Sequence, residues 1–249
     1  MKVIPVIDIL NGIAVHAVKG VRSEYQPLES VLCGSADPIA VACKFRSCGF
    51  SDLYVADLDA IIGKGENLAV LQKIAEETDL ELMVDAGISN IDAAKQLLRC
   101  GATRVIVGTE TLPSLNCLKE MLQRIGSEKV VVSLDLKNGK VLSKSSFIAS
   151  LDVFKLASKL EKIGVCELIV LDLARVGSEE GVDMALIEKL QREMKIKVDV
   201  GGGLRDIEDL AALKLLGVNG VLLATALHTG KINIDQLRRL SPSSDLVED

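Results

Sequence analysis

The feature that most constrains this chain is that it repeats itself. KVIPVIDILNG at Lys2–Gly12 returns as KVVVSLDLKNG at Lys129–Gly139, 127 residues on. Asp37–Ala60 returns at Asp152–Arg175, 115 residues on, and from Gly65 the spacing is 116, which carries Gly87 onto Gly203, Gly101 onto Gly217, Val105 onto Val221 and Thr109 onto Thr225. The fall from 127 to 115 places one extra stretch of about 12 residues in the first copy, between about Gly20 and Ser35. A repeat this long implies two copies of one structural unit.

Each unit holds four short β-branched runs separated by helical patterns. The eight runs are Val3–Asp8, Asp52–Asp57, Leu80–Asp85, Arg104–Gly108, Lys129–Asp135, Glu167–Asp172, Lys195–Val200 and Gly220–Leu223. Between them apolar residues recur at helical spacing, as in Leu68, Leu71, Ile74 and Ala75 or Leu210, Leu213 and Leu216. Helix starts are marked by Asp37-Pro38, Asn90 and Asp206. Near-continuous apolar strands, each followed by a helix, indicate a parallel sheet covered on its outside. Two four-strand units close most naturally into a (β/α)8 TIM barrel, for which 249 residues is an ordinary length. A doubly wound nucleotide-binding sheet wants G-x-G-x-x-G after its first strand; here stands Asp8-Ile9-Leu10-Asn11-Gly12. The expected domain is therefore one barrel over residues 1–240, with half-barrels at about 1–124 and 125–240, and the polar segment from Ser241 is expected to be a disordered tail.

Composition narrows the partners. Apolar residues at 49% supply a core, and a net charge of −6 without a long basic run excludes a nucleic-acid backbone as partner. No apolar run approaches the ~18 residues of a membrane span, and the N-terminus reaches Asp8 too soon for a signal sequence. A cytoplasmic protein, a monomer or small homo-oligomer, is expected. The six cysteines include no C-x-x-C pair and only two histidines could join them, so no metal site is expected.

In barrel enzymes the chemistry sits at the carboxyl ends of the strands. Asp8 and Asp135 end strands 1 and 5 and face each other across the mouth by the repeat. Two carboxylates on one substrate can divide acid and base work, although a strand-end aspartate can equally serve its own loop. Asp57 and Asp172 form a second pair, read as loop anchors or as groups supporting the site from behind, with Asp172 kept as a further candidate. Gly87, Gly108 and Thr109 in the first half, and Gly202, Gly203 and Thr225 in the second, precede helical segments where backbone N–H groups can hold an anion. Arg205 could add charge to the second set. The expected ligand is a small phosphorylated substrate. Lys19, His16 and Ser178 are further candidates near the mouth.

These residues, taken together, resemble the HisA/HisF barrels of histidine biosynthesis. The resemblance is carried by Ile4–Gly12, Val55–Asp59, Gly65–Leu68, Gly87-Ile88, Val105–Thr109, Leu134–Lys140 and Gly201–Asp209, in order, and extends to about Ile232. It is nearer to the isomerase branch, HisA, than to the cyclase branch, HisF, which wants a lysine at position 16 and a glutaminase partner where this chain has His16. The resemblance implies an Amadori-type conversion of an aminoaldose, phosphoribosylformimino-aminoimidazole carboxamide ribotide, into its aminoketose without metal or organic cofactor. It further implies Asp135 as the acid, Asp8 as the base, Gly87, Gly108 and Thr109 on one phosphate, and Gly202, Gly203 and Thr225 on the other.

The chain also departs from the isomerase pattern. Asp85-Ala86-Gly87-Ile88-Ser89 replaces G-G-G-I-R, Ala224 stands where glycine is usual, Val176-Gly177-Ser178 replaces D-G-T, and there is no Trp. A related archaeal group of HisA/HisF-like proteins fits these departures at least as well. Action on, or binding of, another phosphorylated metabolite thus stands beside the isomerase reading, and Asp85 makes the first anion site the weaker of the two.

Overall fold

A computed structural model describes residues 1–240; the segment read as a tail, from Ser241 onward, lies outside the described residues. Eight parallel strands form the barrel: β1 Lys2–Leu10, β2 Asp52–Asp57, β3 Glu81–Asp85, β4 Arg104–Gly108, β5 Val130–Lys137, β6 Glu167–Asp172, β7 Lys197–Gly201 and β8 Gly220–Leu223. Each pairs with the next, and β8 returns to β1 with Val3 opposite Val221 and Ile4 opposite Leu222, so the barrel is closed. Closure leaves no parallel strand with an open edge.

Four of the eight sequence-read strands have the observed bounds, while β1 and β5 run two residues beyond their aspartates. The reason is local. Asn11-Gly12 and Asn138-Gly139 all have positive φ (53°, 76°, 54° and 72°), the geometry of a tight hairpin turn that Asn-Gly favours. The first turns β1 back onto Ile13–His16, the second turns β5 back onto Lys140–Val141. The extra stretch of the first copy then crosses the mouth through a short strand at Gln26–Pro27, which pairs with Val15 and His16.

Helices α1 Pro38–Ser47, α2 Leu68–Thr78, α3 Ile91–Arg99, α4 Leu115–Ile125, α5 Val153–Lys162, α6 Met184–Glu193, α7 Ile207–Leu215 and α8 Ile234–Leu240 cover the outside. Asp37, Asn90 and Asp206 cap α1, α3 and α7 through their side chains, satisfying N–H groups that a helix start leaves unpaired. None of the described helices is long and apolar enough to cross a membrane.

Strand side chains alternate between two cores. Val55, Val84, Val105, Val132, Val170 and Val198 face the helices, whereas Ile4, Tyr54, Met83, Ile106, Val131, Ile169 and Leu222 fill the barrel. β7 instead sends inward Asp199, fully buried and bonded by Asn219 Nδ2 at 2.7 Å. At the amino ends of the strands Asp52 accepts from Lys2 and Arg104, both at 2.8 Å, and Arg104 reaches Glu167 at 2.7 Å. The floor of the barrel is thus ionic and closed; the cavity lies at the other end.

Candidate active site

The inward alternation that places Ile4, Met83 and Val131 in the barrel places Asp8, Asp85 and Asp135 at its carboxyl end, on β1, β3 and β5. There they line a cavity of about 370 Å³ together with Tyr25, Tyr54 and Glu110 on one side and Gly202, Gly203 and Thr225 on the other.

Asp135 is held on several sides. Its Oδ1 accepts from Ser133 Oγ at 2.6 Å and its Oδ2 from the Glu110 N–H at 3.0 Å, while its own N–H donates to Thr109 Oγ1 at 2.9 Å. Burial pushes its pKa up from an ordinary 3.8 to about 7, against the Ser133 hydroxyl and the Glu110 N–H, which favour the ionised form. Asp8 has no side-chain hydrogen-bond partner among the described residues. Burial first, and the charge of Asp85 second, also raise it to about 7. Asp85 rises to about 6 by burial, held back by the Gly87 N–H and by Tyr54, whose hydroxyl donates to Oδ2 at 3.2 Å. Burial, then the neighbouring Asp8, pushes the Tyr25 hydroxyl up to about 12, which keeps it protonated as a donor. Two facing carboxyls that change charge near neutrality can give and take a proton at pH 7 without a large penalty in either state.

The anion-binding candidates divide by half. Gly87 has φ +61° and its N–H is taken by Asp85 Oδ1 at 3.0 Å. A Cβ at Gly108 would stand 2.9 Å from Asp135 Oδ2, so this glycine makes room for the carboxylate. Thr109 is fully buried behind Asp135, and its N–H donates to the Ser133 carbonyl at 2.8 Å. In the second half, Gly202 and Gly203 have φ of +88° and +86°, and their N–H groups, with that of Thr225, have no protein acceptor among the described residues. The side chain of Thr225 meets His16 Nε2 at 3.0 Å, which brings His16 to the mouth.

Other candidates point elsewhere. The Arg205 guanidinium bonds both oxygens of the buried Asp209, at 2.6 and 3.0 Å, and does not line the cavity. Asp172 accepts from the Ala174 N–H and from Arg175 Nε, each at 3.1 Å, which makes it a loop anchor, as Asp57 is through Asn67. The Ser178 hydroxyl donates to the Arg175 carbonyl at 2.8 Å inside the same loop. Lys19 lines the mouth with its ammonium on Glu180 at 2.9 Å.

Tyr25, Tyr54, Ser133 and Glu110 are absent from the sequence reading. Ser133 carried a usable signal, because two residues before a strand-end aspartate it shares the inward face. Tyr25 carried none, since nothing local says which way the loop after β1 folds.

Comparison with known proteins agrees with this architecture. The family model described as histidine biosynthesis protein matches residues 2–233. An uncharacterized protein of Methanocaldococcus jannaschii is 38% identical over 95% of this chain and 97% of its own length. The 1-(5-phosphoribosyl)-5-((5-phosphoribosylamino)methylideneamino) imidazole-4-carboxamide isomerase of Lactococcus lactis is 34% identical over 95% of this chain and 98% of its own, and the enzyme of the same name from Clostridium botulinum is 30% identical over 95% and 96%. With a closed eight-strand barrel and a family match over nearly its whole length, the chain belongs to the histidine biosynthesis protein family.

Proposed function

We propose that this protein is an aldose–ketose isomerase of the Amadori type, acting on an N-substituted ribosylamine phosphate and using Asp135 and Asp8 as its acid and base. The observation that carries the reading is the pair of carboxyls at the ends of β1 and β5, both pushed to about 7 by burial within one cavity. The isomerase names borne by relatives of the same length support it.

In this reading the phosphate lies on the free N–H groups of Gly202, Gly203 and Thr225, where short donors on a fixed backbone suit an anion. The protonated Asp135 gives its proton to the ribose ring oxygen, the C1–O bond breaks, and the nitrogen lone pair forms the open imine. Asp8 then removes the proton from C2 of the protonated imine, giving an enolamine, and returns it to C1 as the C2 hydroxyl gives up its own proton, which restores Asp135, and becomes a ketone. Ser133 and the Glu110 N–H stabilise the carboxylate left on Asp135 after the first step. Burial raises both carboxyls by the same physical cause, so a maximum in turnover near pH 7 is expected.

The test is conversion of a panel of N-substituted ribosylamine 5-phosphates, the histidine-pathway aminoaldose included, followed by NMR in D2O. An aminoketose product with deuterium exchange at the moving proton is expected. Asn at position 8 should remove the acid limb of the pH profile and Asn at position 135 the alkaline limb, each lowering turnover by roughly 100-fold or more. Absence of aminoketose from every member of the panel would sink the assignment, and exchanged limbs would reverse the two roles.

A further inference from the structure

The hydrogen bonds of the first-half pocket say what kind of group it receives. Three of its backbone donors are used by the protein itself: the Gly87 N–H by Asp85 at 3.0 Å, the Thr109 N–H by the Ser133 carbonyl at 2.8 Å, and the Glu110 N–H by Asp135 at 3.0 Å. The repeat-related Gly203 and Thr225 keep their N–H groups free among the described residues. Of the cations at the rim, Arg22 lies with its guanidinium 3.6 Å from the Glu110 carboxylate, and Lys137, two residues beyond Asp135, is exposed. What this wall presents to the cavity is therefore mostly acceptors, Asp8 without a side-chain partner among the described residues, Asp85 and Glu110, with the Tyr25 hydroxyl as a donor beside them. An anion entering here would have to displace a carboxylate from its N–H and then remain beside it.

We infer that the substrate is a phosphate monoester whose other end carries a protonated amine: the phosphate lies on Gly202, Gly203 and Thr225, and the amine lies against Asp85 and Glu110. The inference rests on the proposed function only in taking the barrel mouth as the substrate site. It separates this chain from relatives whose printed names give their substrate two phosphoribosyl groups.

Two ligand series that differ only at one end provide the test: ω-aminoalkyl phosphates and alkane-α,ω-bisphosphates of matched length, titrated calorimetrically against the full chain. The aminoalkyl phosphate of best length should bind at least about tenfold more tightly than the bisphosphate of that length. Asp85→Asn and, separately, Glu110→Gln should each narrow that ratio by about threefold or more. A bisphosphate that binds as tightly or more tightly overturns the inference. So does a ratio that neither variant moves, or binding of neither series. These outcomes are independent of turnover: aminoalkyl selectivity without any aminoketose would remove the reaction class and leave the ligand class standing, and aminoketose formation with bisphosphate preference would do the reverse.

Discussion

Replacing Asp8 by Asn should make the protein more stable while it loses turnover. Asp8 ionises at about 7 in the folded chain against an ordinary 3.8, and no hydrogen bond compensates its charge. A carboxyl whose folded pKa is raised binds its proton more tightly in the folded state, so its contribution to stability falls as pH rises from about 4 to 7 and is level above that. At pH 8 the ionised group costs roughly 4 kcal/mol, and at pH 5 under half of that. Asn fills the same space without a charge but must leave an amide poorly bonded, which costs about 1–3 kcal/mol. The net gain at pH 8 is then about 1–3 kcal/mol, or about 2–12 °C in Tm for a chain of this length. Thermal unfolding of both proteins at pH 5 and pH 8 reads it directly. A gain of equal size at the two pH values, or a lower Tm for Asp8→Asn at pH 8, would show that burial of charge is not what perturbs this carboxyl.

Four further outcomes follow from other contacts. Ser133→Ala removes the 2.6 Å bond to Asp135 and should raise the Asp135 pKa by about one pH unit, moving the alkaline limb of the rate profile upward; an unmoved limb would mean that water replaces the hydroxyl. Gly108→Ala sets a Cβ 2.9 Å from Asp135 Oδ2, so turnover should fall by about tenfold or more with little change in phosphate affinity, as measured by steady-state kinetics and calorimetry. Arg205→Ala leaves the buried Asp209 with a backbone donor alone and should cost about 1–2 kcal/mol of stability by denaturant titration, while phosphate affinity changes less than about threefold. Complementation of a histidine auxotroph lacking the isomerase should be poor with this chain and improve with Asp85→Gly and Ser89→Arg combined, because the Gly87 N–H is then released and a cation added; strong complementation by the unaltered chain would count against the reading of Asp85.

The candidate site was partly legible before any coordinates. Asp8 and Asp135 were readable because strand ends can be recognised from local apolar runs, and the repeat relates one end to the other. Asn-Gly at 11–12 and 138–139 was readable as a hairpin turn, although it enters the sequence reading only as part of the repeat. Gly202, Gly203 and Thr225 were read as anion donors, and their N–H groups have no protein acceptor among the described residues. Arg205 was read with them by adjacency, yet a carboxylate one helical turn on, Asp209, engages its guanidinium; sequence spacing permits that bond without requiring it.

The sequence by itself determined the closed barrel and its eight strands. These rest on periodicities of two and 3.6 residues and on a long repeat, which are properties of neighbouring residues along the chain. Tertiary structure alone decided which donors remain free. Thr109 and Thr225 are equivalent by repeat, but the first turns inward to hold Asp135, 26 residues away, and the second meets His16, 209 residues away. Asp85 was visible as a charge near an anion site; that it takes the Gly87 N–H for itself follows from the turn after β3 folding back on its own carboxylate. A hydrogen bond has one donor and a choice of acceptors within about 3 Å, and that choice is made only when the barrel closes and brings distant strands side by side.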